Sequence, residues 1–272
     1  MGMLDTFIPS QAMASSATPE QAMNFNSGAQ RADEEPSAKT KAGLPLPVKY
    51  PQWVNYKFEP DGAVRPFAGN TILSHVPKES DMYRSLVQIH REINGSDFAG
   101  LFALLPPESY HTTILEGVCD AIRDQNHWPR DLPLNAPLCE CTRLFESKLA
   151  EFDIGDHSRF RMAVKGWTAL EDGIGLHVMP VDDAEEVRLL SLRDILSECL
   201  ELRLPNHVGY DLHVSIGYSL RFLTEKEEQH ITAFLNAQLS KLPSTFELGP
   251  VEFCTFSDMF AFERVRLLGG QS

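Results

Sequence analysis

From Tyr50 onward the hydrophobic positions of the chain switch repeatedly between a period near 3.6 and a period near 2. Met82, Leu86, Ile89 and Ile93 fall on one side of a helix over 80–94, and Leu138, Cys141, Leu144, Phe145, Leu149 and Phe152 do the same over 138–152. A third amphipathic helix is predicted over 184–202. A fourth opens at Thr224-x-x-Glu227, a capping box, and carries Ile231, Phe234, Leu235, Leu239 and Leu242 along one stripe. Between them lie alternating or β-branched runs that read as strands: 69–76, 110–114, the pair 160–170 and 175–181 about an Asp172-Gly173 turn, 212–216, and the pair 245–256 and 259–267.

The order strand, helix, strand, strand occurs twice, first after Tyr110 and again after Leu212, with hardly any residue similarity between the copies. This predicts an α+β chain: a duplicated, two-lobed fold with antiparallel sheets facing a central cleft and helices outside. The folded domain is expected over 46–268, with a four-residue tail at 269–272. Residues 1–45 are rich in Ala, Ser, Gln, Pro and Glu with only Phe7 and Phe25 as aromatics, the composition of a disordered tail. Leu44-Pro45-Leu46-Pro47 reads as a stiff connector after it.

Composition narrows the partners. The 272 residues are 43% hydrophobic, enough for a sizeable core, but carry a formal charge of −14 and a pI near 5.0. No cluster of Lys and Arg suits a long polyphosphate backbone, so a small ligand or a short nucleic-acid end is favoured over extended nucleic-acid binding. An anionic ligand would be repelled at long range, so local positive groups must offset the field. Five scattered cysteines without C-x-x-C indicate a reducing compartment; Cys139-x-Cys141 near His127 has the wrong spacing for a zinc knuckle. No basic start followed by an apolar stretch marks a signal peptide, and the longest apolar run, 98–105, is too short to cross a bilayer. Met1-Gly2 opens a formal myristoylation pattern with no basic cluster behind it, so no stable membrane association is expected. A cytoplasmic or nuclear monomer, not secreted, is the expectation.

Two short strings carry the chemistry: Tyr110-His111-Thr112-Thr113-Ile114 and Leu212-His213-Val214-Ser215-Ile216. In a strand, residues two apart share a face, so His111 aligns with Thr113 and His213 with Ser215. Two imidazoles and two hydroxyls make a device for phosphoester chemistry without metal or other cofactor, one ring taking a proton, the other giving one, and the hydroxyls holding phosphate oxygens. The pattern H-x-[S/T] is weak by itself. A third copy, His230-Ile231-Thr232, sits in the capped helix, where residues two apart do not share a face. The strand-borne pair is distinguished by context, each with an apolar residue just after it, an aromatic nearby and an equivalent place in the repeat.

With Gly69-Asn70-Thr71, Leu105-Pro106-Pro107, Glu116-Gly117-Val118, Arg123, Trp128-Pro129, Arg193-Asp194 and Tyr210-x-x-His213-x-Ser215-x-x-Tyr218, the chain resembles the two-histidine (2H) phosphoesterase superfamily over roughly 50–268, in an uncharacterised microbial and fungal branch. That resemblance implies an enzyme, a cyclic phosphodiesterase acting on a 2′,3′-cyclic nucleotide or RNA-end phosphate, with His111, Thr113, His213 and Ser215 as the catalytic set. His75, which alternates with Thr71 and Leu73, is a candidate to line the cleft. Tyr110, Tyr210, Tyr218 and Trp128 are candidates to stack a base, and Arg123 to supply positive charge. The alternative is a nucleotide-binding module that holds an AMP-like ligand without turnover. An interaction protein recruiting partners through its tail and a hydrolase of non-nucleotide phosphoesters also remain open.

Overall fold

The computed structural model describes residues 49–152, 154–155 and 159–268; the tail 1–45, the C-terminal 269–272 and His157 lie outside the described residues. The chain enters through an irregular strap over 50–67, in which Phe58 bridges to Val54 and Val64. Strand β1 (Gly69–His75) follows, then helix α1 (Asp81–Asn94). Ser80 starts α1 where its Oγ accepts the Tyr83 N–H, and Met82, Leu86, Ile89 and Ile93 are buried as their spacing predicts. Next come β2 (Phe102–Leu104), β3 (His111–Cys119), α2 (Leu138–Ala150), β4 (Arg161–Trp167) and β5 (Gly173–Pro180). The last third contains α3 (Asp183–Cys199), β6 (His213–Ser219), α4 (Glu225–Leu239), β7 (Thr245–Glu247), β8 (Val251–Phe256) and β9 (Glu263–Leu267).

All nine strands belong to one antiparallel sheet, in the order β7-β4-β5-β6-β3-β1-β8-β9 with β2 on β6. The two expected sheets are thus the halves of one curled sheet, sewn together between β3 and β6 at Thr112 and Val214. The helices cover one face. Phe145 of α2 packs on Phe253 of β8, and the Trp167 indole N–H of β4 donates to the Leu235 carbonyl of α4.

The duplication is present, but its unit begins earlier than the sequence pattern indicates. The repeat is strand, helix, strand, helix, strand: β1-α1-β3-α2-β4 matches β5-α3-β6-α4-β8. The third strand of each unit crosses to the other half, β4 pairing with β5 and β8 with β1. This exchange ties the halves together. Strand β2 was hidden in the apolar run 98–105, and the run 245–256 is split at Gly249-Pro250, where the Gly249 N–H donates to the His75 carbonyl.

Both central strands carry a bulge at the same place. Ile114 is the extra residue of β3 against β1, and Ile216 that of β6 against β5; both side chains are fully buried. A bulge shifts the alternation by one position. Glu116 and Tyr218, two residues beyond each bulge, therefore rejoin the face that carries His111, Thr113, His213 and Ser215. Gly173 makes the second bulge region possible: its φ is 145°, and a Cβ there would lie 2.1 Å from the Gly217 carbonyl oxygen. Gly173→Ala is expected to destabilise the fold by about 2–4 kcal/mol, from left-handed strain plus a backbone clash, and to lower the thermal midpoint by several degrees in a calorimetric melt. A melt unchanged within a degree would contradict this packing.

Candidate active site

The seam between the halves builds the site. Thr112 faces Val214 across β3 and β6, so one step along either strand sets Ser215 opposite His111 and His213 opposite Thr113. The two H-x-[S/T] motifs thus form a square in which each imidazole confronts the hydroxyl of the other motif. Diagonal neighbours on such a ladder are about 7–8 Å apart, a separation that a phosphate group can span.

The flanking strands extend the square. His75 of β1 pairs with His111, and His177 of β5 pairs with His213. His75 and His177 are separated by the same 102 positions as His111 and His213, so the duplication contains two histidine pairs. His177 was missed by sequence reasoning; the equal spacing was the signal that could have found it. The His75 ring lies 6.1 Å from that of His111 and its Nδ1 is 3.4 Å from a Glu252 carboxylate oxygen.

Both central histidines are held the same way. His111 Nδ1 lies 2.7 Å from the Ser109 carbonyl and His213 Nδ1 2.8 Å from the Asp211 carbonyl. A carbonyl only accepts, so each Nδ1 carries the proton and each neutral ring presents a bare Nε2 to the cleft. Burial pushes the His111 pKa down to about 3, with the neighbouring His75, His213 and Lys57 adding to the effect against the opposing Ser109 hydrogen bond. Burial also lowers His213, but the Glu116 and Asp211 carboxylates pull the other way.

The loop over 203–211 braces the square. Arg193, buried in α3, donates to the Ile114 carbonyl at the β3 bulge and to the His207 carbonyl in the loop, and its guanidinium lies 5.0 Å from the Tyr210 ring. Tyr210 in turn stacks beside His213 at 6.2 Å and 28°. Asn206 Nδ2 donates to Glu116. His207 Nε2, 2.9 Å from Asp194, latches the loop to α3.

Tyr218 thus shares the face of His213 and Ser215, His75 pairs with His111, and Tyr210 stacks beside His213. Three other candidates need correction. Tyr110 is 1% exposed, and its hydroxyl meets His90 Nδ1 at 3.0 Å on the α1 side. Trp128 is 2% exposed and covered by Arg123 at 4.2 Å. Arg123 itself donates to the Leu134 and Ala136 carbonyls and pairs with Asp120. Arg123 and Trp128 brace the segment before α2, and Tyr110 is held against α1. Cys139 is exposed and Cys141 buried, so they do not share a face of α2. Two groups went unread in the sequence: Lys57, whose ammonium reaches the Tyr218 hydroxyl at 3.2 Å, and Phe262, whose ring covers His111 at 4.3 Å.

Residues 57–171 match the family model described as 2H-phosphodiest: Domain of unknown function (DUF1868). The crystal structure titled as the conserved protein of unknown function ATU0111 from Agrobacterium tumefaciens str. C58 superposes with a TM-score of 0.75 at 23% identity, covering 84% of this chain and 96% of that one, and so shares the fold. The protein TT0787 of Thermus thermophilus covers 75% of this chain and 99% of its own at 14% identity, with a TM-score of only 0.40. No curated protein matches the chain. Among the described residues, no helix is long and apolar enough to cross a membrane.

The tautomers and the lowered basicity are directly measurable. In the ligand-free protein, ¹⁵N-resolved imidazole spectra at pH 7 are expected to show His111 and His213 neutral and protonated at Nδ1. Titration of His111 is expected near pH 3, far below an ordinary imidazole near 6.5. Between those values the unfolded chain binds a proton that folded His111 refuses, so this residue's contribution to stability is lost as the pH falls through that window. A His111 midpoint above 6 would overturn this description.

Proposed function

We propose that the protein is a phosphodiesterase that hydrolyses a 2′,3′-cyclic or related nucleotide or RNA-end phosphoester by paired histidine acid–base catalysis, without a metal. The observation that carries the reading is the register across β3 and β6, which faces each imidazole with the other motif's hydroxyl.

With a phosphate seated in the square, Nε2 of one histidine takes a proton from the attacking water as the new P–O bond forms. The other, protonated at Nε2, gives a proton to the ribose oxygen as the old P–O bond breaks. Thr113 and Ser215 donate to the non-bridging oxygens, where charge accumulates. The surroundings support different roles for the two rings. His111 has His75, His213 and Lys57 as charged or chargeable neighbours, all of which disfavour its protonation, and this suits the base. His213 feels the same Lys57 charge but also has Glu116 and Asp211, which favour the imidazolium, and this suits the acid. A bound phosphate anion raises the basicity of both rings, so the acid is charged mainly in the complex.

A panel of cyclic mononucleotides and RNA ends, assayed with EDTA, tests the proposal. His111→Ala and His213→Ala are each expected to lower kcat by about 10²–10⁴, and Thr113→Ala or Ser215→Ala by about 10²–10³ at most. Because free His213 titrates below the ordinary imidazole value of about 6.5, the decline of kcat/KM with rising pH is expected to begin below that value, while the alkaline limb of kcat lies higher. Saturable mononucleotide binding with no product from any substrate would leave the binding module instead.

A further inference from the structure

We infer that Lys57, carried on the strap that precedes the duplicated sheet, is the residue that binds the substrate's phosphate anion at the mouth of the cleft. The inference rests on the phosphoester reading above and adds the group that makes such a ligand acceptable to a chain of charge −14.

Lys57 is half-buried, and its ammonium is enclosed by three rings: Trp53 at 3.7 Å, Tyr218 at 4.8 Å and Phe67 at 5.2 Å. Its hydrogen-bond partner is a neutral phenol, the Tyr218 hydroxyl. Among the described residues no carboxylate lies within ion-pair distance of it, although acidic side chains outnumber basic ones 38 to 24 in the chain. A partly desolvated ammonium without a counter-ion is unfavourable unless something else supplies the negative charge. The rings hold the cation by their faces without neutralising it.

Its position fits the missing counter-ion to the cleft. Trp53 and Phe67 belong to the strap leading into β1, whereas Tyr218 lies on β6, on the face that carries His213 and Ser215. Lys57 therefore bridges the two halves above the seam. Its charge is felt at both central histidines, at Cys119 on β3 and at Asp172 before β5. The anchor is firm: Phe58 is fully buried against Tyr218 at 5.2 Å and Phe260 at 6.0 Å, and the Lys57 carbonyl accepts the Arg65 N–H. A phosphate oxygen approaching the hydroxyls of Thr113 and Ser215 would meet this ammonium from the solvent side.

The test is calorimetric titration of the full chain with 3′-AMP, inorganic phosphate and adenosine at several salt concentrations, in wild type, Lys57→Met and Lys57→Arg. Methionine keeps the apolar stem between the rings and removes the charge. Lys57→Met is expected to weaken 3′-AMP and phosphate binding by about 10–100-fold, to leave adenosine binding unchanged and to flatten the salt dependence, with Lys57→Arg recovering most of the loss. The inference is overturned if Lys57→Met binds 3′-AMP within about twofold of wild type, if it loses adenosine equally, or if wild type binds neither anion. Lys57-dependent anion binding without turnover of any phosphoester would sink the hydrolase reading and leave this one standing. Full turnover in Lys57→Met, abolished by His111→Ala, would do the reverse.

Discussion

The pairing of Thr112 with Val214 is the constraint on which the site depends. Side chains in a strand repeat with a period of 2, so a slip of one residue at this seam would turn an entire motif from the cleft to the helix layer. Several features hold the register. Ile114, Val214 and Ile216 are fully buried on the helix side, so a slip would expose apolar surface and bury imidazoles. The matched bulges at Ile114 and Ile216 pin the phase on either side. The exchanged strands β4 and β8 join each half to the other and prevent the two from separating at their short contact.

The same geometry resolves an electrostatic conflict. Histidine side chains gathered on one face of a sheet would repel one another if charged, and burial penalises their charge further. The free protein avoids this by keeping the central rings neutral, with each Nδ1 proton fixed on a backbone carbonyl two residues upstream. The bare Nε2 lone pairs then stand on the sheet face that carries Thr113 and Ser215. Glu116, whose carboxylate favours the charged form of His213, breaks the symmetry of the duplication, since its counterpart on β6 is Tyr218. Two nearly equivalent histidines thereby acquire different basicities.

Much of this was readable from local pattern. The four helices lie within a few residues of their predicted ranges because Met82, Leu86, Ile89, Ile93 and the corresponding stripes elsewhere have no other way to be buried together. Local pattern failed where contact partners matter. Tyr110 and Trp128 look like stacking residues in a string but are core residues, because what lies across from an aromatic ring is set by segments distant in sequence. His177 appeared unmatched because its partner is defined by a strand pair, and Lys57 appeared ordinary because one of its three rings, Tyr218, lies 161 positions away.

The sequence by itself determined the alternation of α and β, the presence of two halves, and the pairing of a histidine with a hydroxyl on one face of each motif strand. These follow from periods of 3.6 and 2 and from the placement of apolar residues, which act between near neighbours. Only the tertiary structure decided that the halves share one sheet and that the imidazoles stand diagonally across its seam. It also placed the Glu116 and Asp211 carboxylates near His213, while the Lys57 charge acts on both central rings. Those outcomes depend on strand register, on bulges and on electrostatic neighbours brought together from distant stretches, and no local pattern encodes them.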